Sequence, residues 1–209
     1  MKVISHRGYW KSASEKNTQV AFERSFSLGF GTETDVRDLG GQLVISHDVP
    51  AGGEVTFAQM LTLAGAHHTA SVPLTLALNI KADGLAQALG RALEAWPGLD
   101  CFVFDMAVPD MRAYLAAGIP AYTRMSEVEP VPAWLDRSAG VWLDAFESPW
   151  YSHEQVSRLL DEKAVCVVSN ELHRRDHRPH WEWLARHADH PNLTLCTDLP
   201  EEAVRFFSL

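Results

Sequence analysis

The 209-residue sequence predicts an α/β protein, a single (β/α)8 (TIM) barrel with a β-hairpin after its second strand, and three observations carry that expectation. Short runs rich in Val, Ile and Leu alternate with segments of helical periodicity, and leaving the hairpin's return strand aside they number eight. Polar residues close these runs: His6, Glu33, Lys81, Asp105, Arg124, Asp144, Asn170 and Asp198 stand at strand ends, where barrels of this class collect their functional groups. No Pro/Gly/Ser-rich linker or low-complexity tract divides the chain, so residues 1–209 are expected to form one domain.

The elements follow in order. Lys2 to Ser5 is a β-prone run closed by His6-Arg7-Gly8. Asn17 or Thr18 can cap a helix carrying Val20, Ala21, Phe22, Phe26 and Leu28. Thr32 to Val36 is the second strand, and Glu33 and Asp35, two residues apart, share one face of its pleat. The stretch from Val36 to Leu43 is too short for a parallel crossover, so Gly40-Gly41 must turn an antiparallel hairpin that returns His47 to about the height of Glu33. Helices are expected at Thr56 to Ala64, Leu85 to Trp96, Asp110 to Ala117, Ser152 to Glu162, His180 to His187 and Glu201 to Phe206, with a short element at Pro132 to Arg137. Strands are expected at Leu74 to Ile80, Cys101 to Phe104, Ile119 to Thr123, Val141 to Leu143, Ala164 to Val168 and Leu193 to Cys196.

Composition narrows the function classes. Apolar residues make up 46% of the chain and charged residues 22%, as in ordinary globular proteins. A formal charge of −9 argues against a general nucleic-acid or anionic-membrane surface, since both would be repelled. No apolar run is long enough to span a bilayer, and the first strand begins at residue 2, so the expected location is the cytoplasm. Cys101, Cys166 and Cys196 lie in apolar runs and form no C-x-x-C pair, so all three read as buried free thiols.

His6-Arg7-Gly8, Glu15-x-Asn17-Thr18 with Ala21-Phe22 and Gly29, Glu33-x-Asp35-Val36, and Val44-x-x-His47-Asp48 together resemble the glycerophosphodiester phosphodiesterase family, within the phosphatidylinositol phospholipase C-like superfamily. The resemblance is dense over residues 3 to 48, thinner through Leu78-Asn79-Ile80-Lys81, and ends in Cys196-Thr197-Asp198-Leu199-Pro200. It implies metal-dependent cleavage of a phosphodiester to a phosphomonoester and an alcohol, with a substrate hydroxyl attacking first to form a cyclic phosphate that water then opens.

The residue types suit that chemistry on their own terms. Glu33 and Asp35 are hard oxygen ligands for Mg2+ or Ca2+, with Mn2+ as a further option; the alternative is an ion pair with Arg7 or Arg37. His6 and His47 fit an acid/base pair, because imidazole titrates near neutral pH. Arg7 can hold a phosphoryl oxygen with its planar fork, Lys81 adds a compact second charge, and Arg124, Arg174 and Trp142 are further substrate-contact candidates. Asn79 departs from the family, standing where a third carboxylate is usual; its amide oxygen can ligate but carries no charge, and Asp105, Asp144 or Asp48 would have to compensate. The segment between His47 and Leu74 is shorter than the family's capping insertion, which implies a more open mouth and admits a bulkier glycan-linked diester beside small ones.

Other readings attach to the remaining polar residues. The basic run from Ser169 to Trp181 is either a rim loop selecting an anionic substrate or a solvated turn. His173, His177 and His180 would form a metal cluster only on one helix, which Pro179 interrupts. His67, His68, His153, His187 and His190 read as surface residues. The rival functions are a non-catalytic phosphate-binding barrel, motivated by Asn79, and glycoside cleavage by Glu33 and Asp105, which leaves the histidines without a task.

Overall fold

The computed structural model describes residues 1–69 and 73–209. Residues 70–72, in the connection whose length bears on substrate size, lie outside the described residues. Apart from one hairpin strand, eight parallel strands alternate with seven helices among the described residues, which is the (β/α)8 barrel class. By their contacts the residues fall into two compact units, Ser5–Ala121 and Met1–Ile4 with Tyr122–Leu209.

In the Ser5–Ala121 unit the hydrogen-bonded order is β5 (Asp100–Phe104), β4 (Thr75–Ile80), β2 (Gly31–Leu39) and the end of β1 (Lys2–His6). All six residues of β4 are buried, as a strand covered on both faces requires. β2 pairs parallel to β4 with Asp35 level with Asn79. It then continues three residues past the expected end, because Val36 to Leu39 pair antiparallel with β3 (Gln42–Ile45) across Gly40-Gly41. The helices are α1 (Gln19–Ser27), α2 (Phe57–His67), α3 (Ala86–Leu93) and α4 (Val108–Ala116). Thr56 caps α2 in a reciprocal box with Gln59.

The second unit orders β9 (Leu193–Thr197), β8 (Ala164–Val168), β7 (Gly140–Leu143) and β6 (Tyr122–Met125), all parallel. α5 (His153–Glu162), α6 (Arg178–Leu184) and α7 (Pro200–Phe207) accompany them. Its core is Val141, Leu143, Val165, Val167 and Leu195, all fully buried.

Several local expectations change. Pro132 to Arg137 forms turns rather than a regular element. α3 stops at Leu93 instead of reaching Trp96, and Val20 and Leu28 of the α1 region are half exposed rather than core. Pro179 begins a helix instead of breaking one: it lies in the first turn of α6, where a backbone N–H has no intrahelical partner to lose.

Gly31, at the start of β2, shows how tightly β2 meets β4. A Cβ there would fall 2.0 Å from the Thr75 carbonyl oxygen, which belongs to the backbone and cannot swing away. Gly31→Ala is therefore expected to destabilise the protein by at least about 2 kcal/mol, read as a lower midpoint in urea unfolding; an unchanged midpoint would contradict this close packing.

Candidate active site

Within the Ser5–Ala121 unit a buried hydroxyl cluster aligns the end of β1. Ser5 Oγ lies 2.8 Å from Ser25 Oγ and donates to Thr32 Oγ1 at 2.9 Å, while the Gly8 N–H also donates to Thr32 Oγ1 at 2.9 Å. Arg7 and Gly8 both have left-handed backbones, with φ of 57° and 78°. For Gly8 that geometry is free of steric cost, and a Cβ would sit 2.7 Å from Ala21 Cβ. The turn delivers Arg7 Nε to within 2.9 Å of Asp35 Oδ2.

Asp35 is fully buried and held from three sides. Besides Arg7, Lys81 Nζ lies 3.4 Å from Oδ1, and Asn17 Nδ2 donates to Oδ2 at 2.8 Å. Asn17 in turn accepts from Thr34 Oγ1 at 2.9 Å. Of the two expected caps, Thr18 takes the position, while the Asn17 side chain, on a left-handed backbone of φ 59°, turns inward to the carboxylate.

Glu33 is 2% exposed, and His6 Nε2 stands 3.8 Å from its Oε2. Burial pushes the Glu33 carboxyl up to about 8, the Asp35 charge adds to the rise, and Arg7, Lys81 and Asn79 offset only part of it. Asn79 Nδ2 donates to Asp105 Oδ2 at 3.4 Å. Glu33 Oε2 and Asn79 Oδ1 are buried without a hydrogen-bond donor, and Asp35 Oδ1 has no hydrogen bond beyond its ion pair with Lys81. Three such buried oxygens, two of them carboxylate, fit a hard divalent cation. Among the described residues no group of three or more His, Cys, Asp or Glu is arranged to hold a metal, so a cation here rests on two carboxylates and an amide.

His47 is more exposed. Its Nδ1 lies 2.8 Å from Asp48 Oδ1, and its side chain is 46% exposed. The backbone fixes its approach, with the Ser46 N–H donating to Asp35 O at 3.0 Å and Arg37 Nε to His47 O at 3.2 Å. Asp48 is thus occupied with His47 rather than compensating for Asn79.

The other sequence candidates belong to the second unit. Arg124 pairs with Glu129 at 2.5 Å and lies over the Phe146 ring at 5.7 Å. Trp142, a substrate-contact candidate, is 4% exposed within a wholly buried strand, where its side chain is packed. Arg174 is exposed on a left-handed backbone, while the neighbouring Arg175 donates to the Ala145 and Phe146 carbonyls and to Asn170 Oδ1 at 3.1 Å. The basic run makes no histidine cluster: His173 pairs with Asp144, His177 with Glu202, and the buried His180 with the Tyr151 hydroxyl. Nor is His187 a surface residue; it is 8% exposed, with Nε2 3.0 Å from His153 Nδ1. Glu171, which no motif singled out, accepts from the Ser169 and Thr197 hydroxyls and from the Asp198 N–H. None of the three cysteines forms a disulfide among the described residues; Cys166 and Cys196 are buried as expected, whereas Cys101 is partly exposed.

The sequence matches no protein-family model and no curated protein sequence. Solved structures do match. A glycerophosphodiester phosphodiesterase from Agrobacterium tumefaciens aligns over the whole of both chains with a TM-score of 0.72 at 13% identity. One from Parabacteroides distasonis aligns over 99% of this chain and 96% of its own, with a TM-score of 0.66 at 19% identity. A Ca2+-dependent phosphatidylinositol-specific phospholipase C from Streptomyces antibioticus aligns over 97% and 95%, with a TM-score of 0.58 at 13% identity. These likenesses define the fold as the one used by glycerophosphodiester phosphodiesterases and phosphatidylinositol phospholipases C.

Glu33 makes the metal-free protein sensitive to pH with a definite sign. Its folded value, about 8, exceeds the ordinary 4.5, so the folded state holds a proton that the unfolded chain releases. The resulting stability is fully present below about pH 4.5 and is lost as pH rises through about 8. Urea unfolding of chelator-treated protein at a series of pH values should show wild type losing stability relative to Glu33→Gln across that window; parallel profiles would rule it out.

Proposed function

We propose that this protein is a metal-dependent phosphodiester hydrolase that yields a phosphomonoester and an alcohol. The observation that carries the reading is the Glu33–Asp35 pair, two buried carboxylates whose Glu33 Oε2 and Asp35 Oδ1 oxygens accept no hydrogen bond, set beside Arg7, Lys81 and His6. Glu33 and Asp35, with the Asn79 oxygen, would hold a divalent cation of the Mg2+ or Ca2+ type. Bound there, it would supply Lewis-acid stabilisation of the charge that develops on the phosphoryl oxygens.

The chain's own groups divide the remaining work. Arg7 and Lys81 provide fixed positive charge for the phosphoryl oxygens, and Asn17 keeps the Asp35 carboxylate from rotating. His6 and His47 hold and move protons at the attacking and leaving oxygens, with Asp48 orienting the His47 ring. The fold neighbours named as phosphodiesterases support the reaction class. The rival, a phosphate-binding barrel without hydrolysis, draws on the amide at Asn79 in place of a carboxylate, but binding alone gives two histidines no task.

Hydrolysis of bis(p-nitrophenyl) phosphate, abolished by EDTA and restored by Mg2+, Ca2+ or Mn2+, is the expected result. His6→Ala and His47→Ala should each lower the metal-restored rate by at least ~10²-fold. Folded wild-type protein inactive with all three cations would favour the binding module instead. Asn79→Asp, which adds the third carboxylate, is expected to lower the cation concentration needed for half-maximal activity; a higher requirement would count against Asn79 as a ligand.

A further inference from the structure

Asn79 stands where the resemblance leads one to expect a third carboxylate, and a carboxylate reappears one strand further on. β4 runs between β2 and β5, so that Asn79 is level with Asp35 on one side and with Phe104 on the other. Asp105 is the residue after Phe104, just past the end of β5. Asn79 Nδ2 donates to Asp105 Oδ2 at 3.4 Å, and the same side chain favours the charged form of Glu33. Asp105 has a left-handed backbone, with φ of 61°, repeating at the end of β5 the turn with which Arg7 leaves β1. Asp adopts that conformation at less cost than most side chains, yet the cost is real, and it is met here at the edge of the candidate site.

The acceptor settles which end of the amide is which. Turned over, Asn79 would set Oδ1 against the Asp105 carboxylate, oxygen against oxygen. With Nδ2 bonded to Asp105, Oδ1 is the end kept for another purpose, and it is buried and accepts no hydrogen bond. A carboxylate on the N–H side does more than orient. It draws the amide toward its charge-separated form, negative at oxygen and positive at nitrogen, and so makes Oδ1 a stronger lone-pair donor.

We propose that Asp105 is a positioning residue of the cation site, acting through Asn79 to lock the amide with Oδ1 as the third ligand and to lend that oxygen the negative charge residue 79 lacks. The inference rests on the metal-dependent hydrolase reading above and concerns how that enzyme holds its cation. The two side chains work as a unit, an amide in front and a carboxylate behind. Asp105 therefore serves the cation through the Asn79 N–H, and its effect must vanish once residue 79 has no N–H to give.

The test is a double-mutant cycle on the full chain, read as the dissociation constant of Mn2+ from the electron paramagnetic resonance of the free aquo ion rather than as activity. Asp105→Asn keeps the shape and the tolerance of a left-handed backbone, and it should weaken Mn2+ binding ~10-fold, as loss of a partner behind a metal ligand does. Asp105→Gly, unstrained at this φ, should show at least the same loss, and Asp105→Glu, which retains the charge, should recover part of it. Urea unfolding in chelator checks that each variant folds. In an Asn79→Asp background the Asp105→Asn change should leave Mn2+ binding unweakened, because residue 105 then supplies the N–H and residue 79 the carboxylate. Equal weakening in both backgrounds overturns the proposal, since a charge acting through space needs no amide. Unchanged binding in Asp105→Asn and Asp105→Gly also overturns it, and the cation site stands if Glu33→Gln still weakens binding. Wild type that binds no Mn2+, or binds it equally well as Glu33→Gln, overturns the cation site and the role of Asp105 together.

Discussion

Burying two carboxylates side by side is the constraint around which the Ser5–Ala121 unit is arranged. Glu33 and Asp35 are two residues apart on β2 and both almost wholly withdrawn from water. Unpaired, each would oppose folding. Asp35 is relieved by Arg7, Lys81 and Asn17, drawn from three different segments of the chain. Glu33 is only partly relieved, and it responds by favouring its protonated form. A site that neutralises one carboxylate and leaves the other short of positive charge is suited to a cation that completes the balance.

That balance explains several local features. Left-handed geometry at Arg7 and Gly8 would carry a cost in an ordinary loop, yet here it lets the Arg7 backbone bond to Glu33 while its side chain reaches Asp35. The hydroxyls of Ser5, Ser25 and Thr32 pack beneath the turn, so the residue after them emerges in one direction. Lys81 is aligned by its own N–H bond to the Val36 carbonyl. The second unit solves a similar problem differently: Asp144 and Glu171 are satisfied by histidine, hydroxyl and backbone donors from adjacent strand ends, without a lysine or arginine at either carboxylate in these bonds.

Much of the fold was legible because parallel strands buried on both faces write themselves as continuous apolar runs, as Leu76 to Leu78 and Val165 to Val168 do. The hairpin was legible from length alone, since no crossover fits between Val36 and Leu43. Boundaries were less so. The end of α3 and the exposure of Val20 depend on which neighbour covers a helix face, and Pro179 could be read as a break or a start until the chain on either side was placed.

Of the candidate site, sequence by itself determined the inventory: His6, Arg7, Glu33, Asp35, His47, Asn79 and Lys81, because strand ends and a two-residue pleat repeat are properties of the local chain. Tertiary structure decided the partnerships. Asn17 could not be known to clamp Asp35 from 18 residues away. Nor could Asp144 be assigned to His173 across 29, or His153 to His187 across 34. Burial, which raises the Glu33 carboxyl and encloses Trp142 and His187, is likewise a property of what packs around a residue rather than of the residue. A side chain's chemistry is written locally, but its protonation, orientation and partner are set by atoms that meet only when the chain folds.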